Sequence, residues 1–105
     1  MADDLDLLFE RISALLEASA EGAGLPRSDV EPTLTDGYAR ALELDAEGLR
    51  LELRIDRLTR EVADGRKVPA GKLSGLLRRL HDTQQQSVDL RALLAPLREL
   101  VSKAA

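Results

Sequence analysis

Residues 73–101 read LSGLLRRLHDTQQQSVDLRALLAPLRELV, and this stretch decides the fold. Leu73, Leu76, Leu80, Thr83, Ser87, Leu90, Leu94, Leu97 and Val101 follow one another in alternating steps of three and four without a break. Such steps keep one stripe on one face of an α-helix, and a heptad of this kind is the seam of a paired helix. The spacing predicts a helix over about 69–102. Pro69 suits the first helical position, where its missing N–H costs nothing. Pro96 removes a donor deeper in the pattern and is expected to kink the helix or to start a new segment near Ala95. Lys103 suits the helix end.

Working back along the chain, Gly65-Arg66-Lys67-Val68-Pro69 reads as a tight turn, with Gly65 as the stop of the preceding helix. That second helix is expected over about 32–64. Ser28 and Glu31 have capping-box spacing, and Pro32 belongs in a first turn, so its start falls somewhere from Ser28 to Thr33. A helix of this length spans about 45 Å at 1.5 Å per residue. It carries two stripes. Leu44, Leu51, Ile55, Leu58 and Val62 form one, and Leu34, Tyr38, Leu42, Leu49 and Leu53 form the other. At 100° per residue they lie on different sides of the helix, which asks for two neighbours.

The N-terminal segment repeats the logic on a smaller scale. Leu5, Leu8, Phe9, Ile12, Leu15 and Leu16 keep one face over about 3–20. Asp3, Asp4 and Asp6 complement the positive end of the helix dipole. Gly22, Gly24 and Pro26 end it. The expected architecture is therefore all-α, a single helical domain over residues 1–105. It is a long antiparallel, coiled-coil-like hairpin plus a shorter N-terminal helix, together a three-helix bundle. Helix 1 reaches over only part of the hairpin, about residues 33–50 and 85–103, so the distal part is left as two helices.

Composition agrees with this and narrows the function classes. Hydrophobic residues make up 44% and charged residues 32%, the balance of amphipathic helices and not of a disordered tail. Phe9 and Tyr38 are the only aromatics. No cysteine is present, which excludes disulfides and thiolate metal sites. No apolar run approaches the roughly 20 residues of a membrane span, and Met1-Ala2-Asp3-Asp4 is acidic where a signal peptide is basic. The default compartment is the cytoplasm. Twelve arginines against three lysines hint at a GC-rich bacterial genome.

Charge is unevenly distributed. Residues 1–65 hold 16 acids and 7 bases, whereas residues 66–105 hold 3 acids and 8 bases. Complementarity within a self-packed hairpin accounts for this more simply than a basic surface awaiting an acidic partner. The hairpin tip concentrates bases: Arg57, Arg60, Arg66, Lys67, Lys72, Arg78 and Arg79, against Asp56, Glu61 and Asp64. Such a tip could meet phosphates. Overall acidity and the lack of stacking aromatics count against nucleic acid. The pairs Asp56–Arg60 and Arg57–Glu61 at i, i+4 are expected to absorb part of the charge.

Other candidate chemistry is sparse. Asp45, Glu52 and Asp56 share a face between the two stripes. Carboxylates so placed could bind a hard cation, but no Glu-x-x-His motif accompanies them and ion pairing with Arg78, Arg91 or Arg98 is the simpler role. His81 is the only histidine and has no serine or cysteine arrangement around it. No glycine-rich phosphate loop or G-x-S-x-G occurs. Gly37 and Gly48, eleven residues apart, suggest a close helix crossing, since interior glycine costs about 1 kcal/mol against alanine. Thr83, Gln84, Gln85, Gln86 and Ser87 read as a polar layer that sets register.

These features point to a non-enzymatic interaction module, an adaptor, scaffold or chaperone-like protein with no catalytic, cofactor or metal site. Its expected partner is a second copy of itself, a dimer foremost, or another helical protein. Leu51, Ile55, Leu58, Leu73, Leu77 and Leu80 are the expected exposed contact set. The second reading is a nucleic-acid-associated or regulatory protein that uses the basic tip. An enzyme or metal-binding bundle ranks third, and neither a membrane nor a small-molecule substrate is implied.

Overall fold

A computed structural model describes residues 3–22 and 24–103. Met1 and Ala2 of the acidic start, and the side chain of Lys103, lie outside what it describes. The fold is all-α: α1 (Asp4–Ala20), α2 (Arg27–Ala63) and α3 (Ala70–Lys103), with no strand among the described residues. The long hairpin of α2 and α3 and the shorter N-terminal α1 are the architecture that the periodicity predicts.

The helix ends follow from local chemistry. Gly22 and Gly65 both have positive φ, +87° and +80°, a backbone region that glycine enters without steric cost. After α2, the Arg66 N–H donates to the Glu61 carbonyl and the Gly65 N–H to the Val62 carbonyl, which is the Schellman pattern. The start of α2 differs from expectation. The helix begins at Arg27, not near 32, so Ser28 lies inside it instead of capping it. The Asp29 N–H donates to the Pro26 carbonyl, and the Arg27 guanidinium pairs with Glu31 at 2.8 Å across the first turn. These contacts carry the helix past Pro32, whose missing donor leaves only the Ser28 carbonyl to find another partner. Likewise α3 runs through Pro96 as one helix, and no new segment starts at Ala95.

The chain forms two compact units. The base comprises residues 1–42 and 88–105, that is, α1 with the first part of α2 and the last part of α3. Its core is Leu5, Leu8, Ile12, Val30, Ala41, Leu90, Leu94 and Leu97. Midway along α1, Arg11 reaches α2, donating to the Thr33 hydroxyl and pairing with Asp36, both at 3.0 Å. Gly37 is buried against Leu94, and a Cβ there would crowd the Leu94 methyl groups. This is the close helix crossing that the glycine suggested.

The arm comprises residues 43–87, a pair of helix segments joined by the turn. Leu51, Leu58 and Leu76 form its hydrophobic centre, with Ile55, Val68, Leu73 and Leu80 packed against them. The antiparallel register is visible in its polar ties. The Ser87 hydroxyl donates to Asp45 at 2.8 Å, and the Gln84 amide to Glu52 at 3.5 Å. Thr83 and Ser87 are buried, whereas Gln84, Gln85 and Gln86 face solvent. A Cβ added at Gly48 would meet only Leu80, in ordinary contact at 3.8 Å, so no close crossing explains this glycine.

Candidate functional site

The arm's heptad seam closes on itself. Of the six residues expected as an exposed contact set, Leu51 and Leu58 are buried, and Ile55, Leu73 and Leu80 are half-buried against them. Leu77 alone is substantially exposed, at 48%. The expected exposure is corrected for Leu51 and Leu58, because each helix of the arm uses its strongest stripe to cover the other's.

The second stripe of α2 behaves differently. Leu42, Leu49 and Leu53 are 65%, 62% and 65% exposed. Steps of seven and four place them within about 40° of one another on the helix, about 180° from buried Leu44 and Leu51. Leu34 and Tyr38, earlier in the same stripe, are half-buried. Among the described residues nothing covers the three leucines. Isolated exposed leucines are ordinary, but a periodic row of them is the pattern of a helix seeking a partner.

Side chains of opposite sign border this row. Asp45 and Glu52 lie along one edge, and Arg50 and Arg57 along the other, all on the exposed side. Asp45 and Glu52, weighed above as possible ligands, take hydrogen bonds from Ser87 and Gln84. No group of three or more His, Asp or Glu is arranged to hold a metal ion among the described residues.

The basic tip does not gather into one face. Arg57, Arg60 and Arg66 share an open groove of about 410 Å³ with Leu53, Asp56, Glu61 and Asp64, as many acids as bases. Arg54, Arg57 and Lys72 line a smaller groove of about 270 Å³ with Glu61, above Leu58 and Leu76. Arg79 lies 3.9 Å from Glu47, while Lys67 and Arg78 are exposed. The expected Asp56–Arg60 and Arg57–Glu61 pairs do not close to within 4 Å among the described residues.

The leucine row is legible in the sequence as a second stripe that asks for a second neighbour, while the expected contact set falls on the other stripe. What the sequence could not weigh was which stripe α3 would take. No helix among the described residues is long and apolar enough to cross a membrane. Comparison with known proteins adds nothing to this geometry, because no family model, curated protein or solved structure matches the chain.

Proposed function

We propose that this protein is a non-enzymatic helical interaction module, an adaptor or scaffold of the bacterial cytoplasm that works as an oligomer or on a helical partner. Its contact surface is the outer face of α2, and the association is coiled-coil-like. The observation that carries this reading is the row Leu42, Leu49 and Leu53, each more than 60% exposed on one face of a helix whose opposite face is already packed. Leucines in such a row gain by burial against a second amphipathic helix. The basic tip, the basis of the alternative reading, mixes its bases with acids in the larger groove.

The test is a mass measurement of the native complex recovered from the protein's own cells, with the chain unchanged and with Leu49→Asp plus Leu53→Asp. The unchanged chain is expected in a complex heavier than its own 11.5 kDa. The double variant is expected at monomer mass, with a loss of stability of only about 1 kcal/mol from helix propensity, because neither side chain belongs to the core. A complex of the same mass from the double variant refutes the reading.

A further inference from the structure

Resting on that reading, we propose that the occupant of the α2 outer face is a second copy of this chain, with the two α2 helices parallel and in register. The argument comes from the charges that border the leucine row. Leu42, Ala46, Leu49 and Leu53 step by four, three and four, the spacing of a two-stranded seam. With those four at the seam, residues 45 and 52 occupy one flanking heptad position and residues 50 and 57 the other. In parallel pairs, the flanking residue before one seam position meets the opposite flank five residues later on the partner helix. That rule brings Asp45 against Arg50 of the second copy and Glu52 against Arg57 of the second copy. By symmetry each contact forms twice, and these four attractive contacts outnumber the one like-charged pair, Asp56 against Asp56 of the second copy, at the next seam position.

An antiparallel pair gains less from the same face, because its carboxylate contacts on one flank offset the Glu43–Arg50 contacts that it makes on the other. It sets like flank against like flank, so Glu52 faces Asp45 of the second copy. Two carboxylates are thereby brought together at each end of the row. Like charges directly opposed are a common device for rejecting an orientation. Asp45 also accepts the Ser87 hydroxyl within its own chain, which holds its carboxylate in place beside the row. Ala46, between Leu42 and Leu49, is small enough for two helices to approach closely at the centre. Packing is not obstructed from within the arm, because its own core lies on the opposite side of α2.

The short apolar row implies modest affinity, so sedimentation equilibrium from micromolar to millimolar concentration is the measurement of choice. The full chain is expected to pass from monomer to dimer over that range. Glu52→Arg sets two arginines together in a parallel pair and is expected to weaken dimerisation at least tenfold. Arg57→Glu is expected to do the same by setting two glutamates together. The double exchange, Glu52→Arg with Arg57→Glu, restores the attraction and is expected to recover most of the lost affinity. Circular dichroism of each variant confirms that the fold is retained.

An antiparallel dimer gives the opposite sign for one member of this set: Glu52→Arg then faces Asp45 of the second copy and tightens the dimer, which overturns the proposal. A chain that stays monomeric at millimolar concentration also overturns it. The helix-binding reading survives that second result. A dimer insensitive to Leu49→Asp plus Leu53→Asp uses another surface and overturns both.

Discussion

The base and the arm are built from the same leucine heptads, yet they bury them to different depths. Ile12, Leu90, Leu94 and Leu97 in the base are completely sealed, whereas the buried leucines of the arm run from Leu44 at 1% exposed to Leu58 at 7%. In the arm the comparable positions Ile55, Leu73 and Leu80 stay half open. The base has three helix segments and the arm two. A leucine between two helices has solvent on both flanks, and a third helix removes one of them. Burial is set here by the number of neighbours and not by residue type. The arm compensates in part with cross-helix polar ties, Ser87 to Asp45 and Gln84 to Glu52.

The largest expected effect tests that difference directly. Leu94→Ala removes a fully buried side chain from a sealed core and should cost toward the upper end of about 2–5 kcal/mol. Leu58→Ala, in a seam that can relax against solvent, should fall near the lower end of that range. Urea denaturation of both variants measures the contrast, and equal losses would break it.

A smaller effect sharpens it. Gly48→Ala meets only ordinary contact with Leu80, so it should stabilise the protein by about 1 kcal/mol through helix propensity. Gly37→Ala gains the same propensity but drives its methyl into Leu94, so no net stabilisation is expected. Thermal melts of the two variants should therefore differ in sign or nearly so. Stabilisation by both would mean that the base is packed no more tightly than the arm.

The polar layer should show an effect of similar or lesser size. Ser87→Ala deletes the hydroxyl that Asp45 accepts and is expected to cost about 1 kcal/mol, since Asp45 itself remains in contact with water. Amide hydrogen exchange should localise the loss to the arm, with residues 43–63 and 70–87 exchanging faster while the base keeps its protection. Faster exchange throughout would show that the two units open together.

Helix number, helix type and both turns were legible in the chain. The heptads from Leu73 to Val101, the stop at Gly65 and the acidic first turn of α1 all act over a few residues, and local interactions are readable locally. The start of α2 was not. Ser28, Glu31 and Pro32 offered a consistent local signal for a later start, but the turn at Pro26 and the Arg27–Glu31 pair extend the helix by about one turn. The same limit governs the contact surface. Periodicity distinguishes two leucine stripes on α2 and says that they face different ways. It carries no information on which stripe another part of the chain will reach. Packing in three dimensions settled that, because only one face of α2 can meet α3 within the arm. Leu51 and Leu58 were drawn into the core, and Leu49 and Leu53 were left in water.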